Sequence, residues 1–170
     1  MRVMRQWAAT TTVTVAAAGA AVAVAAAGAA VAVTGAPVAA APVPRADLEV
    51  VRLDPDPVAP GGLTTVHGFV ANNGPDRTAA PFTVLIDLPA GFTAEGPYFP
   101  ADCVAAAAGH LVRCTFGAGL PAQRTATALV PVRSDADVPP GTVAEGHVRV
   151  VSAEDADPSD DGTAFTLSVK

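Results

Sequence analysis

The sequence predicts an all-β domain, a two-sheet sandwich of about seven short strands. Three observations predict it. Sixteen prolines and fifteen glycines cut the 170 residues into short pieces, so turns recur at the spacing of a strand-rich chain. Between the turns, apolar and polar residues alternate with period 2, and long stretches of helical period are scarce. Half of the residues are apolar and 15% are charged, a balance that supports a packed core and excludes disorder throughout.

Taken in order, the first forty residues stand apart from that pattern. Arg2 and Arg5 give a short positive start, no charged residue occurs from Ala8 to Val33, and Val38 and Ala40 are small residues of the kind that precede a cleavage site. Residues 1–40 therefore read as a secretory signal. The alternative is an uncleaved membrane anchor, because the apolar run is long enough to cross a hydrocarbon layer of about 30 Å. Its composition of Ala, Val, Thr and Gly is weakly hydrophobic on a scale that rewards Leu, Ile and Phe most, which favours cleavage. No Cys lies near the cleavage site, so a lipid on such a residue is excluded. Residues 41–46 then form a Pro- and Ala-rich linker, extended and semi-rigid, and residues 47–170 the folded domain.

Within the domain, "DLEVVRL" from Asp47 opens a strand that "DPDPVAPGG" must stop, with three prolines and two glycines. "LTTVHGFVA" from Leu63 alternates and ends at "NNGPD", a turn whose Asn and Gly tolerate positive φ. "FTVLIDL" puts Phe82, Val84, Ile86 and Leu88 on one face and closes at Pro89 and Gly91. "LVRCTF" from Leu111, "TATALVPVR" from Thr125 and "GTVAEGHVRVVS" from Gly141 follow. In the last of these Ala144, Gly146, Val148 and Val150 make a dry face, and Glu145, His147 and Arg149 a wet one. "TAFTLSV" ends the series with Phe165, Leu167 and Val169 on one side.

Charge and cysteine content narrow the function. Removing residues 1–40 takes away Arg2 and Arg5 and no acid, so the net charge falls from −6 to −8. With its few Arg scattered, such a surface is repelled by a nucleic-acid backbone, and nucleic acid is excluded as a partner. Cys103 and Cys114 flank "VAAAAGHLVR", in which Gly109 supplies a turn. In an exported chain this pair reads as a disulfide closing a hairpin; the C-x-x-C spacing of redox chemistry is missing.

The residues able to do chemistry are few. Asp87 could be a catalytic carboxylate, but at a strand end before Leu88-Pro89 it is expected to bond a local backbone amide. His67, His110 and His147 could hold zinc only if the fold gathered them, since they lack the short spacing of common zinc motifs. Ser134, Ser152, Ser159 and Ser168 fall at strand ends, in loops or near the terminus, without a nucleophile elbow. Asp157, Ser159, Asp161 and Gly162 match positions 1, 3, 5 and 6 of a calcium loop, and Asp155 and Asp160 add charge. The glutamate required at the twelfth position is replaced by Ser168, which rules out an EF-hand and leaves a choice between a weak surface calcium site and a solvated acidic turn. Phe69, on the face opposite Val66, Gly68 and Val70, and Tyr98 and Phe99 of "GPYFP" are the candidate apolar contacts; the alternative for each is packing at a sheet edge.

"ADLEVVRLDPDPVAPGG", "NNGPDRTAAPFTVLIDLPAGF", the paired cysteines and "DADPSDDGTAFTLSV" together make the chain resemble one copy of the bacterial surface repeat family called domain of unknown function eleven. Asn73-Gly74-Pro75 and Asp87-Leu88-Pro89-Ala90-Gly91 carry the resemblance most specifically. It implies an immunoglobulin-like sandwich on an exported protein, with a structural or adhesive role, no catalysis and no cofactor. Two features depart from the family: the copy is single, and "DPSDDG" replaces an Asn-rich turn. The expected partner is an extracellular protein or glycan, and a single copy on a free linker implies a monomer.

Overall fold

The computed structural model describes residues 45–170; residues 1–40, read above as a secretory signal, and residues 41–44 of the expected linker lie outside them. Nine strands form. They are β1 (Leu48–Val51), β2 (Leu63–Asn72), β3 (Phe82–Asp87), β4 (Phe92–Ala94), β5 (Cys103–Ala106), β6 (Leu111–Phe116), β7 (Arg124–Ser134), β8 (Val143–Val151) and β9 (Gly162–Ser168). One sheet has the order β1-β2-β7-β4 and the other β5-β6-β3-β8-β9, and every ladder is antiparallel. The domain is an immunoglobulin-like β-sandwich, as expected, with two short strands more than the seven anticipated. The additions are β4, three residues after the Pro89–Gly91 turn, and β5, the first arm of the cysteine hairpin.

Alternation places the core. Phe82, Val84, Ile86 and Leu88 are all buried, as are Val148 and Val150 of β8 and Phe165, Leu167 and Val169 at the end of the chain. From the other sheet come Leu48, Val66, Val70, Val130 and Val132. Gly68 permits the sheets to meet: a Cβ there would lie 2.9 Å from Val84 Cγ1. Each large side chain removed from water contributes roughly 1.5–3 kcal/mol, and the contrast between the two faces fixes the register, because a one-residue slip would expose the whole set. Phe82 stacks on Phe116 across β3 and β6, with centroids 5.1 Å apart.

The Asn72–Gly74 turn is held by a fully buried polar side chain. Asn72 Oδ1 accepts from the amides of Asp47 (3.2 Å) and Gly74 (3.1 Å), and its Nδ2 donates to the carbonyls of Asp76 (2.9 Å) and Leu120 (3.1 Å). One amide group thus joins the start of β1, the turn after β2 and the loop before β7. Gly74 has a different role from the one expected. Its φ is not positive; a Cβ there would collide with the backbone of Arg45 to Asp47, so glycine is required by the close passage of the entering chain. Gly91, by contrast, sits at φ 85° as its turn demands.

Unpaired strand edges invite foreign strands, and three of the four edges here are covered. Along β9, the amide of Val58 donates to Ser168 O (3.0 Å), that of Lys170 to Val58 O (2.7 Å) and that of Thr166 to Asp54 Oδ1 (2.8 Å). Along β1, the amides of Leu48 and Val50 donate to Asp155 Oδ2 and Asp160 O, both at 3.0 Å. The tip of the β5–β6 hairpin lies on β4, where a Cβ on Gly109 would come within 3.5 Å of the amide and carbonyl of Ala94. Among the described residues, nothing covers the outer side of β5 in this way.

Candidate functional site

The densest charge in the domain gathers where β1 meets the β8–β9 loop. Asp155 Oδ2 accepts from Leu48 N and Asp155 Oδ1 from Asp157 N (3.0 Å); Asp157 Oδ1 in turn accepts from Ser159 N (3.0 Å). The carbonyl of Asp160 accepts from Val50 of one sheet, and that of Asp161 from Val150 of the other (2.7 Å). The loop is a strap between the two sheets, and its aspartates satisfy backbone amides along the way. Asp47, just before β1, and Glu49, on it, add two further carboxylates. Local sequence missed these two because they lie more than a hundred residues from the loop that they face.

Crowding carboxyl groups where water is scarce moves their titration. Burial, then the hydrogen-bonded Asp155 carboxylate, then the charges of Asp155, Asp160 and Asp157 push Asp161 up to about 7. Asp47 and Asp160 are raised too, by burial first and then by neighbouring acids, whereas hydrogen bonds from Ser159 hold Asp157 below its ordinary value. One oxygen each of Asp47, Asp160 and Asp161 is enclosed without a hydrogen-bond partner. Asp161 therefore holds its proton far above the ordinary carboxylate range. Among the described residues, no three His, Cys, Asp or Glu side chains converge as metal ligands; this covers Asp155, Asp157, Asp160 and Asp161, with Ser159 beside them.

The histidines are kept apart by the architecture. His67 is on the outward face of β2 and His147 on the outward face of β8, in different sheets; His110 is in the hairpin turn, where its carbonyl accepts from Leu88 N (2.8 Å). His147 is exposed, 3.4 Å from Glu145, as its wet face predicts. Asp87 departs from expectation: among the described residues its carboxylate takes no backbone amide, and it stands opposite His147 across the β3–β8 ladder in an open groove with Arg149 and Gly162. Ser134 is wholly buried and donates to Ala59 O (3.1 Å), so it has no access to a substrate.

The aromatic candidates divide. Tyr98 is half-buried and packs against the core. Phe69 is half-buried on the outward face of its sheet, opposite Val51, and Phe99 is 59% exposed. Phe99 pairs with Leu129 through two backbone bonds of 3.1 and 2.7 Å, which extend the β7 edge past β4. Cys103 and Cys114 form the anticipated disulfide, directly across β5 and β6, with both residues buried.

No family model matches the chain, and no curated protein matches it. Among solved structures it is similar to BcpA, the major pilin subunit of Bacillus cereus, at 9% identity and a TM-score of 0.48, over 74% of this chain and 40% of that one. It is also similar to CaCohA2 from Clostridium acetobutylicum, at 14% identity and a TM-score of 0.45, over 75% of this chain and 92% of that one. A third is AvmM, which catalyses macrocyclisation in alchivemycin A biosynthesis, at 15% identity and a TM-score of 0.39, over 75% and 90%. The chain spans less than half of the pilin subunit.

Proposed function

We propose that the chain is an exported, non-catalytic structural or interaction module of the cell surface or its surroundings, of the kind implied by its resemblance to domain of unknown function eleven. The observation that carries this reading is the buried Cys103–Cys114 disulfide, a bond that persists in oxidising compartments outside the cytoplasm. Supporting it, the groups that could do chemistry are spent on architecture or separated: the loop aspartates hold backbone amides, Ser134 is buried, and the histidines lie on different faces. Phe69 and Phe99, together with loops, offer contacts to an extracellular protein or glycan. A weak calcium site over Asp155, Asp157, Ser159, Asp160 and Asp161 is the second reading. The three unpartnered carboxyl oxygens favour it, and the engagement of Asp155 and Asp157 by backbone amides counts against it.

Intact mass tests the main reading, measured with and without reductant and alkylation on protein from the medium and from membranes. The expected species is in the medium, begins near Ala41, and gains two alkyl groups only after reduction. An unprocessed chain in the membrane fraction with free thiols would overturn both export and the disulfide.

A further inference from the structure

We propose that β5 is a docking edge for the same strand of a second copy, so that the five-stranded sheets of two molecules join into one continuous sheet about a two-fold axis. The proposal holds wherever the protein resides, and it replaces the monomer expected from a single copy. It starts from the contrast between the edges. β9 is closed by the 51–58 segment and the Asp54 carboxylate, β1 by the acidic strap, and β4 by the hairpin tip. Among the described residues, the one backbone bond of β5 outside its ladder with β6 is a turn bond, from Cys103 N to Pro100 O (3.1 Å). Natural edges without cover usually carry a lysine, a proline, a bulge or an inward-pointing charge. β5 reads Cys-Val-Ala-Ala and has none of these.

The backbone geometry says which groups are on offer. The Cα atoms of Cys103 and Cys114 are 3.9 Å apart, nearer the ~4.5 Å of a non-hydrogen-bonded pair than the ~5.5 Å of a bonded one. Bonded and non-bonded pairs alternate along an antiparallel ladder, so Val104 and Ala106 turn their amides toward β6 and Ala105 turns its N–H and C=O outward. Two copies that pair antiparallel with Ala105 opposite Ala105 exchange both bonds at the axis. The same register sets Val104 of each copy over Ala106 of the other and covers a valine that is 64% exposed in the single molecule. Residues 103–107 are Cys, Val and three Ala, so no charge meets its like across the seam. A second copy fits this edge because it supplies an equally short, uncharged strand and a closed, isologous contact. Two molecules of net negative charge repel outside the seam, so association strengthens as salt screens that repulsion.

Sedimentation velocity over a concentration series, at low and high salt, tests this on the purified protein beside its A105P and V104K variants. A105P removes the outward N–H, which the ladder with β6 does not use, and V104K puts a charge at the seam on a side chain that is 64% exposed. The expected result is a monomer–dimer equilibrium that tightens with salt, weakens by about tenfold or more in each variant, and leaves the monomer's circular dichroism and melting unchanged. Hydrogen exchange at the Ala105 amide slows with concentration in the unaltered protein. A species that stays monomeric throughout, association that neither substitution weakens, or exchange at Ala105 independent of concentration would each overturn the proposal. Should A105P fail to fold, V104K and the exchange data decide the matter.

Discussion

Asn72→Ala is the most informative single substitution in this domain. The side chain is fully buried and makes four hydrogen bonds, to Asp47 N, Gly74 N, Asp76 O and Leu120 O. Truncation orphans Asp47 N, Gly74 N and Asp76 O, while Leu120 O keeps its bond from Thr78 N (3.1 Å), and each orphan costs about 1–3 kcal/mol if it stays dry. The bonds at Asp47, Asp76 and Leu120 are part-buried, and water entering the cavity recovers some of that loss, so the net cost is roughly 4 kcal/mol. For a domain of this size, that lowers the melting midpoint by roughly 12 °C. Urea unfolding followed by far-UV circular dichroism measures it, with an unchanged slope showing that the unfolded state is unaffected. Asn72→Asp is the matched control: it keeps both acceptor bonds and places an oxygen against two carbonyls. It is therefore destabilised at neutral pH and partly recovers in acid, when the carboxyl can donate one bond. A loss under about 1 kcal/mol for Asn72→Ala, well below the cost of even two dry orphans, would refute the assignment of Asn72 as the joint of three segments.

Four further outcomes are expected. Replacing Cys103 and Cys114 together by serine costs about 3 kcal/mol in denaturant, the entropy of a loop closed over eleven residues of separation. Asp161 keeps its proton up to about 7 in the fold and loses it near 3.8 when unfolded, so its contribution is full below the lower value and is lost as pH rises through the upper one; Asp161→Asn flattens that part of a stability–pH profile. Gly146→Val drives a Cβ into the Phe165 ring and to 2.8 Å from Asp87 O, and costs roughly 3 kcal/mol or prevents folding, as read from soluble yield and melting. Excess calcium over chelator leaves the midpoint within about a degree, because only binding in excess of its dissociation constant stabilises; a rise of several degrees would favour the calcium reading of the strap.

The parts of the fold legible in the sequence were those where one face is dry and the other wet. Phe82, Val84 and Ile86, and the His147 strand with its charged outer row, gave their faces away because burial and exposure alternate without interruption. β4 and β5 did not show, since three residues are too few for a period and Cys-Val-Ala-Ala has no polar partner to alternate with. The turn after β2 was visible, but its reasons were not. Asn72 acts through bonds to residues 25 and 48 positions away, and Gly74 is glycine because a distant segment passes over it. The acidic loop was visible as composition. Its engagement with β1 depends on a contact across 107 residues, which no local pattern encodes.

The path of the first strand has a mechanical consequence. Ala46 bridges Asp155 and Val58 bridges Val169, both in parallel sense, so the entering segment runs in the same direction as the β8–β9 loop and the last strand that follows it. The two ends of the domain, at Arg45 and Lys170, consequently lie at opposite poles. A tether drawn tight between them pulls these neighbouring segments lengthwise past one another, so the bonds that join them share the load and yield together. A peeling geometry would break them singly, at far lower force.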